Sequence, residues 1–295
     1  MLMNTHEARL DALRKGLKKR GLDGFVIPIS DEHMSEYVAS YAQRLEWLTG
    51  FRGSAGSAVV LADGYEGKGA AMFTDGRYTV QVREQVDEAL YDYESVPETS
   101  PAQWIADHAS AGARMGYDPW LHGIEWAENA QAALARKGAQ LVPVDGNPID
   151  AIWQDRPAPS DAPAVPHETR YAGRSSAEKR AEVADWLKRE GYDATVIAAL
   201  DSVGWLLNIR GADIANTPVA LSYVVAHADG TAELFIAPEK VTPELTQHLG
   251  NAVTVRDRAD FEPALAGLAG KNVALDPEHA VAGIFHALEA AGAKV

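Results

Sequence analysis

Two similar α/β domains, each a mixed β-sheet flanked by helices, are predicted by three features of the sequence. Short apolar runs alternate with helical periodicities, a proline-rich break falls near the middle, and the second half repeats the first. At the start, Leu10, Leu13 and Leu17 fall on one helical face, with Arg14, Lys15, Lys18, Lys19 and Arg20 around it. Strands are then expected at Gly24–Ser30, Ser57–Ala62, Ala70–Asp75, Arg114–Asp118 and Leu141–Val144. Helices are expected at Arg77–Asp87, at Pro101–Ala111 behind the N-cap Ser100, and at Glu125–Lys137 before Gly138.

From Asp155 to Gly173 the pattern stops. Prolines at 157, 159, 163 and 166 forbid helix there and predict an extended linker. The expected division is a first domain at 1–156, a linker at 157–172 and a second domain at 173–295. The second domain opens on a capping box, Ser175 to Glu178, with Val183, Trp186 and Leu187 on one helical face.

The repeat runs in register. "GLDGFVIP" (21–28) is echoed by "GYDATVIA" (191–198), and "LEWLTGFRG" (45–53) by "VGWLLNIRG" (203–211). "SAVVLADG" matches "YVVAHADG", "MGYDP" (115–119) matches "VALDP" (273–277), and "ALARKGAQL" (133–141) matches "ALEAAGAKV" (287–295). Val295 thus stands where Leu141 enters a strand in the first copy, so the natural chain is expected to continue beyond it.

Composition narrows the function. A net charge of −15 disfavours nucleic acid and anionic membrane as partners. No cysteine is present, which removes disulfides, thiolate metal sites and cysteine nucleophiles. No apolar run reaches transmembrane length and the first residues lack a signal-peptide core, so a cytoplasmic location is expected.

The stretch "TGFRGSAGSAVVL" (49–61) carries Gly50, Gly53 and Gly56. A dinucleotide cradle needs G-x-G-x-x-G before a helix, whereas this spacing is G-x-x-G-x-x-G before a strand. Ser54 is not a nucleophile elbow, since Arg52 holds the place of the required glycine. The glycines are therefore expected to form a bend. Among the nine histidines, His286 with Glu289 has a helical i, i+3 relation inside a predicted helix, and no metal set or H-E-x-x-H occurs. Asp31–His33 follows a strand, a usual position for site residues, but three polar residues there are more often just a loop. Arg77 stands in the first turn after Asp75, where a cation opposes the helix dipole. It is either a solvated surface side chain or a guanidinium held for a carboxylate or peptide carbonyl. No catalytic residue and no metal ligand is assigned.

The phrases "DEHMSEYVASYAQRLEWLTGFRGSAGSAVVL", "AAMFTDGRYTVQVREQV", "DAIWQDRP", "YAGRSSAEKR" and "WLLNIRGADIANTPV" together resemble aminopeptidase P, the Xaa-Pro aminopeptidases of the creatinase–prolidase group, in its three-domain form. The resemblance covers essentially the whole chain and implies two creatinase-like amino-terminal domains before a missing catalytic domain. It implies cleavage before proline by a water activated by two divalent metals, manganese or zinc, whose ligand motifs are absent here. It further implies proline-containing peptides as substrates, a homodimer at full length, and a role at the substrate cleft for the arginine of the D-G-R-Y turn, Arg77. On this reading the chain alone is inactive, carries no cofactor, and shapes and restricts the cleft. The alternatives are a stand-alone peptide-binding or assembly module, or a nucleotide-dependent enzyme should the Gly50–Gly56 loop hold phosphate.

Overall fold

The computed structural model describes residues 5–63 and 68–295. It divides into two compact units, one of Met1–Asp31 with Glu36–Pro157, the other of Glu32–Ser35 with Ala158–Val295.

In the first unit the elements run α1 (His6–Lys19), β1 (Gly24–Pro28), α2 (Arg44–Thr49), β2 (Ser57–Leu61), β3 (Ala70–Thr74), α3 (Gln81–Gln85), β4 (Asp92–Ser95), α4 (Pro101–His108), β5 (Arg114–Tyr117), α5 (Ile124–Ala135) and β6 (Gln140–Pro143). The six strands lie in the order β4-β3-β2-β1-β5-β6. β2 is antiparallel to both neighbours, and the other three pairings are parallel. The leucine face of α1 is the reason this helix forms here. Leu10, Leu13 and Leu17 are all buried and join Phe25, Ile27 and Val60 in one core, while the basic residues stay outside. Ser100 caps α4 by accepting from the Gln103 amide, as its position predicts.

The second unit runs β7 (Val165–Pro166), α6 (Thr169–Ala172), α7 (Ser176–Glu190), β8 (Ala194–Ile197), α8 (Leu200–Leu207), β9 (Ile209–Arg210), β10 (Ser222–His227), β11 (Ala232–Ile236), α9 (Pro243–Leu249), β12 (Val253–Asp257), α10 (Phe261–Leu265), β13 (Val273–Leu275) and α11 (Ala282–Ala290). Its main sheet has the order β12-β11-β10-β8-β13, with β10 antiparallel to both neighbours and the outer pairs parallel. Order and sense reproduce five strands of the first sheet; among the described residues, the bridge Asn272–Lys294 occupies the start of the sixth place.

The repeat extends to single hydrogen bonds. The Asp23 amide donates to Arg114 O, and Asp23 Oδ2 accepts the Arg114 amide at 2.7 Å. Asp193 does the same to Asn272, with its Oδ2 at 2.8 Å from that amide. One aspartate per copy thereby clamps the entry of its central strand to the parallel neighbour, which sets the register. The capping box of α7 is complete, Ser175 and Glu178 exchanging bonds with each other's amides. Ser175→Ala is expected to cost about 1 kcal/mol, measured as a shift of the second unit's urea midpoint; no shift would show the cap to be idle.

Three expectations are corrected. The single helix at Arg77–Asp87 is instead a 3₁₀ turn at Gly76–Tyr78 followed by the short α3. The Asp75 side chain caps a single backbone amide, that of Arg77, and the β-branched Thr79, Val80 and Val82 weaken helix propagation. β4 is an additional strand, hidden in the sequence because its polar, acidic composition suits a sheet edge. The proline-rich stretch is not free of helix, and it docks on the second unit. Val165 and Pro166 pair with β9, Thr169–Ala172 turns helical after the last proline, and Ala164 is fully buried. Lys240 draws this stretch onto the second unit, donating to Ser160 O at 2.6 Å and to Ala162 O at 3.4 Å.

No helix among the described residues is long and apolar enough to cross a membrane.

Candidate functional site

The strongest sequence candidate, Arg77, lies just past the carboxyl end of β3, in the turn that leads to α3. Asp75 organises this turn. Its Oδ1 accepts from the Arg77 amide at 2.9 Å, and its carboxylate also takes the Arg77 Nε at 3.0 Å and Nη2 at 2.7 Å. The guanidinium holds the Asp75 carboxyl below the usual carboxylate range, and Asp75 in turn raises the Arg77 pKa, with smaller contributions from Tyr78 and Glu36. The Arg77 side chain stays 65% exposed, and its Nη1 makes no hydrogen bond among the described residues. An aspartate that fixes Nε and Nη2 while Nη1 faces water leaves donors for a further carboxylate or carbonyl.

The Gly50–Gly56 bend meets this turn through Tyr78. Its hydroxyl lies 2.7 Å from Ser54 Oγ and accepts the Ser54 amide at 3.1 Å, which lowers the phenol's pKa. Phe51 packs edge-on against the same ring, with centroids 5.5 Å apart. Only Gly50 of the three glycines has positive φ, +86°, where it ends α2. A Cβ on Gly53 would meet Phe51 at 2.3 Å, and one on Gly56 would meet the same ring at 2.9 Å. These glycines therefore admit an aromatic ring rather than a phosphate. Ser54 adjoins a phenol, not an imidazole, so no general base stands ready to activate it as a nucleophile.

Arg52 pairs with Glu46 at 2.8 Å on the rim of a cavity of about 550 Å3. Its echo Arg210 instead donates to Gly204 O and Ile209 O. The shared feature is the bend, since a Cβ on Gly211 would lie 2.6 Å from Val219 O. Glu32 and His33 fall in the second unit, where Arg258 pairs with Glu32 and His33 Nδ1 lies 2.8 Å from Ala198 O. Among the described residues no three His, Cys, Asp or Glu side chains gather into a group able to hold a metal ion. The described residues therefore do not fit a metal pair.

One buried polar group, beyond the ends of β5 and β6, is not among the candidates the sequence offers. Asp118, His122 and Asn147 are all at least nine-tenths buried. Asn147 Nδ2 donates to Asp118 Oδ2 at 2.8 Å, and His122 Nδ1 lies 2.9 Å from Asp118 O. The signal was the "DP" at the end of a predicted strand, which recurs in both copies.

Fold, repeat and turn together define a chain of two creatinase/prolidase amino-terminal domains. The chain belongs to that family: its models, described as Creatinase/Prolidase N-terminal domain, match residues 9–153 and 155–295. A "Probable Xaa-Pro aminopeptidase P" of Aspergillus clavatus is 36% identical over 257 residues, covering 86% of this chain and 38% of that protein. Aminopeptidase P2 of Arabidopsis thaliana is 36% identical over 266 residues, covering 87% of this chain and 36% of its own length. Among solved structures, the X-prolyl aminopeptidase of Caenorhabditis elegans, a cytosolic enzyme with a di-nuclear active site, matches with a TM-score of 0.91 and 27% identity. That match covers 99% of this chain and 50% of the other. The chain thus spans between about a third and a half of the relatives it resembles.

Proposed function

We propose that this chain is the amino-terminal, non-catalytic part of a cytoplasmic Xaa-Pro aminopeptidase, in which its two domains shape and restrict the cleft for proline-containing peptides. The observation that carries this reading is the tandem of both creatinase-type domains in a chain that spans only 36–38% of two aminopeptidase P relatives. The two divalent metals belong, on this reading, to a domain outside the 295 residues, and the full-length protein is a homodimer. Arg77 meets the carboxyl side of the substrate. Its geometry suits that role, because Asp75 fixes two donors and leaves Nη1 exposed.

In the full-length protein, Arg77→Ala is expected to lower kcat/KM for longer peptides by roughly tenfold, the size of one lost charge-assisted hydrogen bond. Arg77→Lys should recover little, since a point charge does not reproduce the guanidinium fork. An unchanged kcat/KM would remove Arg77 from the site. The 295-residue chain with added manganese is expected to cleave no Xaa-Pro peptide at an enzyme-like rate, and such turnover would sink the reading as a whole.

A further inference from the structure

The second unit carries a socket whose first-unit counterpart is filled. A cavity of about 250 Å3 lies between β8, α7, α8 and the turn after β13, lined among others by Val183, Ser202, Trp205, Leu206 and Asp276. By the register of the repeat these residues stand where Leu13, Arg44, Trp47, Leu48 and Asp118 stand in the first copy. There, each of them meets or shares a core with one short segment, Asn147–Trp153. Asn147 donates to Asp118 at 2.8 Å, and Arg44 grips Asp150 at 2.7 and 2.9 Å. Trp153 stacks on Trp47 with ring centroids 5.4 Å apart, and Ile149 is fully buried with Leu13 and Leu48.

The second copy keeps the receiving side of this arrangement. Arg9 lies 4.7 Å from the Trp47 ring centroid and donates to Trp47 O; Lys179 lies 4.8 Å from the Trp205 centroid and donates to Trp205 O. Asp118 and Asp276 each accept the amide two residues on, at 2.9 Å. What differs is cover. Trp47 is 8% exposed, whereas Trp205 is 47% exposed. Among the described residues none takes the place of Asn147–Trp153 over this cavity, and Val295 is the counterpart of Leu141.

We infer that this socket receives a short segment of the Asn147–Trp153 type, supplied by polypeptide continuing from Val295, which clamps the second domain to its carboxyl-terminal neighbour. The cis supply rests on the function proposed for the full-length protein; the socket itself does not. Its volume is below the ~300 Å3 usual for small-molecule pockets and suits one or two inserted side chains. A side-chain amide is matched to Asp276, whose Oδ2 already meets His279 Nδ1 at 3.0 Å but can accept a second bond. A branched apolar side chain fits between Val183 and Leu206, and a flat or apolar group covers the exposed Trp205 ring. Because Ser202 replaces Arg44, the segment carries no acid at the place of Asp150.

The test appends residues 142–154 of this same chain, with Asp150→Ala, directly after Val295. Trp205 is followed as the difference in acrylamide quenching between this protein and its Trp205→Phe variant. Quenching of Trp205 is expected to fall at least about threefold, as for an indole moved out of water, with a rise in the second unit's Tm. A matched extension carrying Ile149→Ser and Trp153→Ser should give neither effect. Equal quenching with and without the intact extension, or equal protection by the altered one, overturns the socket. Absent peptidase activity in the full-length protein would instead count against its proposed function as an Xaa-Pro aminopeptidase.

Discussion

Lys240→Met is expected to lower the stability of the second unit by about 3–5 kcal/mol, because it strands a buried carboxylate. Lys240 and Asp213 form an ion pair at 2.5 Å with side-chain exposures of 2% and 0%. The other Asp213 oxygen accepts the Leu221 amide at 2.6 Å, so the carboxylate has no route to water. The ammonium also holds the carbonyls of Ser160 and Ala162, which pin the proline-rich entry to this unit. Asp213→Leu alone should be similarly costly, whereas Lys240→Met with Asp213→Leu should recover much of the loss, since no bare charge then remains buried. Urea unfolding of the second unit measures all three. Single variants within about 1 kcal/mol of the parent would show the pair to be solvated in solution.

The first unit is expected to lose about 3 kcal/mol of stability between pH 6.5 and pH 4 through His122 alone. Burial pushes the pKa of His122 down to about 4 from 6.5. Its Nδ1 faces Asp118 O, its ring stacks on Trp126 at 4.1 Å, and its Nε2 meets no partner among the described residues. The unfolded chain therefore binds the proton first. The stabilisation is complete above the unfolded value, is lost as pH falls from 6.5, and levels off below 4. Asp118 acts in the opposite sense, because burial raises its pKa despite Asn147, the Trp120 amide and Arg44. Its stabilisation is lost as pH rises through the folded value. The difference between parent and His122→Phe isolates the histidine, since phenylalanine keeps the ring packing without a titrating nitrogen. The urea midpoint of the parent should fall more steeply than that of His122→Phe from pH 7 to pH 6 and pH 5; parallel slopes for both proteins would refute the assignment.

Much of this molecule was legible in one dimension. The spacing of Leu10, Leu13 and Leu17 defined the inner face of α1, and Ser100, Ser175 and Glu178 marked helix starts, because caps and amphipathic stripes are local and act within a few residues. The repeated phrases marked two copies of one domain, and the D-G-R-Y turn placed Arg77 just after Asp75. The edge strand β4 was not legible, since one paired side and one wet side leave no apolar alternation to read. Nor was the attachment of the proline-rich segment, which depends on Lys240, some eighty residues downstream.

By itself, the sequence determined the class, the duplication and the local punctuation, all of which come from side-chain period and backbone preference at short range. Only the tertiary structure decided what the glycines of "TGFRGSAGSAVVL" are for, because room for the Phe51 ring beside Gly53 and Gly56 exists only once the bend has folded onto the turn that carries Tyr78. It likewise decided that Trp47 is covered while its twin Trp205 is bare. Burial is a sum over distant contacts, and two residues with the same local sequence differ in it when, among the described residues, Trp153 lies across one and nothing lies across the other.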